Sequence, residues 1–224
     1  MLKILNGIRR FQRNVFPKYE RTFQELASQQ APEALLITCS DSRVVPELFT
    51  QCGPGDLFVY RNAGNIIPPF RAEDGSGTLA TIEYAVSVLK VKSLIICGHS
   101  DCGAMKGVLH PESVRHLPLV DRWLRQAECA RRIVCEYHKD VPEHEQLQLL
   151  IQENVIAQLE SVKTHPCVAV ALARNELQLY GLYYNISSGH VSAYDPESGQ
   201  FAPLMDSVPP AGPRPRVSRE KKAA

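Results

Sequence analysis

The chain has 224 residues, 44% of them hydrophobic, with 25 basic residues against 24 acidic and a net charge of +1. That length suits one domain with a single sizeable core, and the near-neutral balance gives no reason to expect nucleic acid or a membrane surface as a partner. No apolar run approaches the roughly 20 residues of a spanning helix, and Met1 to Arg10 lacks the apolar stretch and small-residue cleavage site of a secretory signal, so the expected compartment is the cytoplasm.

Leu2, Leu5, Ile8, Phe11 and Val15 recur at three- and four-residue spacing, the period of an amphipathic helix. Pro17 is expected to interrupt that helix, and Tyr19 to Ser28 to form a second one. Leu35 to Thr38 is a short apolar run of the kind found in strands buried on both faces, and Leu57 to Tyr60 and Leu94 to Cys97 repeat it. Between the last two, Thr78 to Leu89 has a helical pattern and follows the breaker Gly75-Ser76-Gly77. After His99 the pattern is mainly helical, around Leu119 to Tyr137 and Gln146 to Val162. A late strand, Gln178 to Ile186, turns at Ser187-Ser188-Gly189 into Val191 to Tyr194.

Strands alternating with helices predict an α/β fold: a mainly parallel central sheet flanked by helices. The expected organisation is a single domain over residues 1–202, with 1–30 as an N-terminal helical arm and 203–224 as a flexible, basic, proline-rich tail. The Leu2/Leu5/Ile8/Phe11 stripe stands too far from the α/β pattern to be wholly buried at home. The arm is therefore expected to pack on a partner subunit, the plainer alternative being packing on its own.

Two segments carry chemistry. Cys39-Ser40-Asp41-Ser42-Arg43 and Gly98-His99-Ser100-Asp101-Cys102-Gly103 both begin where an expected strand ends, and the carboxyl ends of strands form the ligand crevice in open α/β sheets. Two thiols and one imidazole are zinc-type ligands, and a catalytic zinc takes three protein ligands with a fourth position open. Taken singly, Cys39 or Cys102 reads more readily as a buried small hydrophobe than as a ligand. Their polar, glycine-flanked turns and their coupling favour the zinc reading. Asp41 and Arg43 read either as a surface ion pair of little worth or as a functional dyad, in which the Arg fork holds the carboxylate bidentately. Their place beside a ligand favours the dyad. Asp101 is a weaker candidate that an exposed turn aspartate explains equally well.

The remaining cysteines, Cys52, Cys97, Cys129, Cys135 and Cys167, lack such neighbours and read as structural or incidental. An odd total of seven suits reduced thiols rather than a disulfide framework. His110, His116, His138, His144, His165 and His190 read as surface histidines rather than ligands.

These two segments, with Arg61-Asn62-Ala63-Gly64-Asn65 and Ile82-Glu83-Tyr84-Ala85, resemble the β-class carbonic anhydrases, from the N-terminal helix to about Asp195. The resemblance implies Zn2+ on Cys39, His99 and Cys102, and a catalytic pair at Asp41 and Arg43. It also implies a substrate pocket that includes Gln30, Phe58, Ala63, Tyr84 and Gly103. Ala63 stands where plant relatives carry valine. In the family the glutamine comes from a neighbouring subunit, which implies a homodimer or a dimer-based higher oligomer. Some members hold a regulatory bicarbonate with tryptophan, arginine and tyrosine; Arg61 and Tyr184 match the latter two, but Leu36 stands at the tryptophan position, so that second site looks incomplete.

The implied reaction is reversible hydration of carbon dioxide to bicarbonate and a proton, by a zinc-bound hydroxide oriented by the Asp–Arg dyad. Two thiolates neutralise the zinc's formal charge and weaken it as a Lewis acid, so orientation by Asp41 and a dry pocket of Phe58, Tyr84 and Ala63 gain importance. Two alternatives remain. One is hydrolysis of a related linear electrophile, carbon disulfide or carbonyl sulfide. The other is a non-catalytic zinc scaffold docking partners through Arg214 to Lys222.

Overall fold

A computed structural model describes residues 1–72 and 75–204; the expected tail lies outside the described residues from 205 onward. The chain starts with a helical rod. Leu2–Arg10 (α1) runs through a π-helical turn, Phe11–Val15, into Phe16–Leu26 (α2). Pro17 therefore does not interrupt the rod as expected. It sits in the first turn of α2, directly after the π-turn in which the Phe16 N–H reaches back to the Phe11 carbonyl, and first-turn positions need no N–H donor.

Ala34–Cys39 (β1), Pro46–Thr50 (α3), Leu57–Asn62 (β2), Gly77–Glu83 (α4) and Ser93–His99 (β3) follow. Then come Gly103–Leu109 (α5), Pro118–Leu124 (α6), Glu128–Tyr137 (α7), Glu143–Val162 (α8) and Pro166–Ala173 (α9). Gln178–Tyr184 (β4), Val191–Asp195 (β5) and Gln200–Pro203 (β6) complete a six-stranded sheet of order β2-β1-β3-β4-β5-β6. The first four strands in that order pair in parallel and the last two add antiparallel. The mixed α/β architecture is the one expected from the sequence.

Several elements were not anticipated, among them the short α3, α9 and β6. The α9 sequence Pro-Cys-Val-Ala-Val-Ala-Leu-Ala is apolar almost all round and shows no helical period. β6 is only four residues long, and its Pro203 pairs with Ser192.

Burial explains why β1 and β3 read clearly. Every residue of β1 is buried, so the strand is a continuous apolar run. β2, at the sheet edge, is only partly covered. Over the sheet, α8 presents Leu150, Ile151, Val155, Leu159 and Val162 on one buried face. It lies so close that a Cβ on Gly98 would come within 2.9 Å of Ile151 and Val155, and one on Gly181 within 2.9 Å of Leu159 and Val155. Glycine is required there for close approach rather than for a turn, and that approach fixes the end of β3 that carries His99. Among the described residues, no helix is long and apolar enough to cross a membrane.

Candidate active site

Cys39 is the last residue of β1 and His99 the last of β3, its hydrogen-bonded neighbour. Both therefore reach the same carboxyl-terminal edge of the sheet. Past His99 the backbone turns through Asp101, at φ +58°, and delivers Cys102 as the residue capping α5. The ligand atoms of Cys39, His99 and Cys102, all three buried, lie within 4.8 Å of one another.

The donor set fits a tetrahedral metal. The Cys39 and Cys102 sulfurs are 3.9 Å apart, and a tetrahedral ion with metal–sulfur bonds of ~2.3 Å separates two sulfurs by about 3.8 Å. His99 Nδ1 donates to the Ser100 carbonyl at 2.9 Å, which leaves Nε2 as the lone-pair nitrogen, the arrangement common in metal-ligating histidines. That Nε2 is buried and has no hydrogen-bond partner among the described residues. The two thiols titrate in opposite directions: the Cys102 hydrogen bond, with lesser help from His99 and the Gly64 N–H, pushes Cys39 down despite burial, while the partnership with Cys39 and burial push Cys102 up. The two directions describe one unevenly shared proton, which a bound cation would displace to leave two thiolates.

Beside the ligands, Asp41 and Arg43 pair bidentately: Arg43 Nε donates to Asp41 Oδ1 at 2.9 Å and Nη2 to Oδ2 at 2.8 Å. The Arg43 backbone N–H adds a third bond to Oδ1 at 2.9 Å. Arg43 thus holds the Asp41 carboxyl well below the usual carboxylate range, outweighing partial burial. Asp41 Oδ2 is 3.9 Å from His99 Nε2, beyond hydrogen-bond length.

Several residues that the sequence did not single out as functional support this centre. Gly64, at φ +81°, donates its N–H to the Cys39 sulfur at 3.4 Å. Its loop is pinned from three sides: Trp123 Nε1 donates to the Ala63 carbonyl at 2.8 Å, Asn154 Nδ2 to the Gly64 carbonyl at 3.0 Å, and the Ile67 N–H to Gln158 Oε1 at 2.7 Å. Gln158 Nε2 donates in turn to Asn154 Oδ1 at 2.9 Å. One signal was available: Asn154 and Gln158 are polar residues four apart inside the apolar stripe of α8. Asp101 also proves less isolated than a turn aspartate, for it pairs with Arg43 and with Lys106.

Of the expected pocket residues, Phe58 and Tyr84 come together, their rings 6.0 Å apart and tilted. Ala63 and Gly103 are exposed at the start of short helices. Gln30 lies exposed between α2 and β1 and makes no hydrogen bond among the described residues. Leu36 is fully buried. Arg61 gives its Nε to the Cys39 carbonyl at 3.0 Å and Nη2 to the Asp41 carbonyl at 2.7 Å, while Tyr184 stacks on Phe49 at 5.0 Å.

One expectation needs correcting. His165 is not a surface histidine; it is only 2% exposed and donates Nε2 to the Pro68 carbonyl at 3.0 Å. Burial lowers its pKa, so the neutral ring is favoured. The other five are half-buried or exposed.

Residues 34–191 match the family model described as carbonic anhydrase. A carbonic anhydrase of Pseudomonas aeruginosa is 48% identical over 206 residues, covering 92% of this chain and 93% of the relative. One from Synechococcus elongatus is 43% identical over 85% of this chain and 70% of its own. Among solved structures, the β-carbonic anhydrase CcaA superposes with a TM-score of 0.89 at 40% identity, over 93% of both chains. A tetrameric β-carbonic anhydrase from Sordaria macrospora gives 0.77 at 33% identity, over 85% of this chain and 94% of its own.

Proposed function

Because the chain belongs to the β-class carbonic anhydrases, a family of lyases, we propose that it hydrates carbon dioxide reversibly on a zinc ion held by Cys39, His99 and Cys102, with Asp41 and Arg43 as the orienting pair. The observation that carries this reading is the convergence of three buried ligand atoms within 4.8 Å, with a carboxylate oxygen 3.9 Å from the ligand nitrogen. When bound, the ion is a Lewis acid that makes a nucleophile of water near neutral pH.

The chain's own residues supply the rest. Asp41, kept anionic by Arg43, is acceptor-only, so Oδ2 selects an O–H donor beside His99 Nε2 and fixes where its remaining lone pair points. Such orientation lowers the entropic part of the barrier. The Gly64 N–H at the Cys39 sulfur disperses thiolate charge that would otherwise weaken the metal as a Lewis acid. Phe58 and Tyr84 form an apolar wall suited to a linear, uncharged substrate, and Gln30 donates one hydrogen bond to a substrate oxygen.

Gln30 reaches that wall from a neighbouring copy. The rod of α1 and α2 buries none of its own residues, and Leu2, Ile4, Leu5, Ile8 and Phe11 stand exposed on it, an apolar stripe that a second copy covers in a homodimer or dimer-based assembly. A cytoplasmic setting keeps the ligand thiols reduced. Stopped-flow hydration of carbon dioxide on metal-quantified protein tests the reading: rates proportional to bound zinc support it, and zinc-loaded protein no faster than buffer overturns it.

A further inference from the structure

We propose that Asp101 is a positioning residue for the Asp41–Arg43 pair, an inference that rests on the hydration reading above. The Arg43 guanidinium is shared between two aspartates. Its Nε and Nη2 edge faces Asp41. Its other edge faces Asp101: Nη1 donates to Asp101 Oδ2 at 3.0 Å and Nη2 to the Asp101 carbonyl at 3.2 Å. Of the five guanidinium N–H groups, four are therefore committed, and the plane of the fork is fixed from both sides.

That second anchor matters because the Arg43 side chain is 45% exposed. Gripped by Asp41 alone, a half-solvated arginine keeps rotamer freedom, and the carboxylate it holds moves with it. With Asp101 opposite, Arg43 cannot swing and carry Asp41 with it without breaking the bonds on its far edge. Lys106 completes the arrangement by pairing with Asp101 from α5, so charges alternate along Asp41, Arg43, Asp101 and Lys106. The neutral sum lets two carboxylates share one guanidinium without either expelling the other.

The backbone of Asp101 is part of the device. At φ +58° it lies in the left-handed region, which aspartate, asparagine and glycine enter most readily. This turn lies between His99 and Cys102, so the residue that clamps Arg43 is covalently tied to two of the proposed ligands. Asp101 touches no reacting atom. It sets the orientation of Asp41 through Arg43.

Two substitutions separate position from structure. Asp101→Gly suits the left-handed backbone and removes the carboxylate; Asp101→Asn also suits it and keeps an oxygen to accept from Arg43 Nη1. In full-length protein with zinc quantified, Asp101→Gly should keep its zinc and lower kcat about 10-fold, the lower end of losses when a supporting partner is removed, with KM nearly unchanged. Asp101→Asn should recover most of that loss. In an Arg43→Ala background, Asp101→Gly should change nothing further, since the two act as one unit. The inference is overturned by wild-type kcat in Asp101→Gly, by no recovery in Asp101→Asn, by loss of zinc from Asp101→Gly, or by an equal fold-loss in both backgrounds. Wild-type protein and Asp41→Asn run alongside: an active wild type with unaffected Asp101→Gly sinks this inference alone, whereas an inactive wild type sinks the hydration reading with it.

Discussion

Asp41 Oδ2 stands 3.9 Å from His99 Nε2, and no hydrogen bond joins them. Among the described residues the nitrogen has no hydrogen-bond partner, and the carboxylate turns its bonds to Arg43 instead. On the proposed reading, the gap would take an oxygen atom that donates a proton to the carboxylate, and two residues from different segments, one on the turn after β1 and one ending β3, would define a single reacting position.

Asp41→Asn should keep zinc and lose most of the rate. The amide is nearly isosteric, but it cannot pair with Arg43 as an anion and can present a donor where an acceptor is required. A fall of roughly 100-fold in kcat is expected for a misdirected proton acceptor. Metal analysis and stopped-flow hydration on the same preparation measure both quantities; a wild-type rate with zinc retained would remove Asp41 from the mechanism.

The protein should sediment as a dimer or a dimer-based assembly at micromolar concentration. Ile8→Asp on the exposed stripe should shift it toward monomer and lower activity, because the proposed contribution of Gln30 crosses between copies. A strictly monomeric species with full activity would defeat this arrangement.

Bicarbonate should inhibit weakly and without cooperativity. A ligand shifts a two-state equilibrium only by binding one state better, and fully buried Leu36 offers no donor where some relatives have an indole. Arg61, which retains the family's side chain, spends its Nε and Nη2 on the carbonyls of Cys39 and Asp41. Steep cooperative inhibition in the hydration assay, or a crystal near pH 8 with the Asp41 carboxylate bonded to the metal, would contradict the expectation.

Acid should reveal a separate stabilising cluster on α7. The hydrogen bond from Arg131, with further help from Arg132, lowers the Glu128 carboxyl from 4.5 to about 2 against partial burial. A folded-state pKa below the unfolded value contributes stability that is complete above about pH 4.5 and is lost as pH falls toward 2. Glu128→Gln should therefore be less stable than wild type at pH 7, with the difference in urea midpoint closing between pH 4.5 and 2. A pH-independent difference would show that the charge is not its source.

Much of the fold was legible because burial wrote it into the pattern. β1 is covered on both faces and β3 nearly so, and both read as apolar runs, while α8 was legible as a long helical stretch although Asn154 and Gln158 on its buried face blur its stripe. What escaped had a physical reason. Pro17 is a breaker by itself, but a π-turn ahead of it places it where no donor is needed. The all-round apolar α9 has no periodicity to detect. At the site, residues tied to their neighbours in sequence stood out, as the two motif turns did. Partners supplied across the fold did not: Asn154, Gln158 and Trp123 reach the Gly64 loop from distant helices, and Asp101 gained its meaning only when the turn after β3 met the turn after β1. His165 misled because a buried histidine with one carbonyl partner leaves no mark on the sequence.

The most direct measurement is a zinc titration of metal-stripped protein, followed by stopped-flow hydration of carbon dioxide, on wild type, Cys39→Ser and His99→Ala. Wild-type activity should rise in proportion to zinc and stop at one ion per chain, while neither variant should bind tightly or gain rate. Full zinc occupancy in both variants, or wild-type hydration that does not depend on added metal, would contradict the assignment of the centre to Cys39, His99 and Cys102.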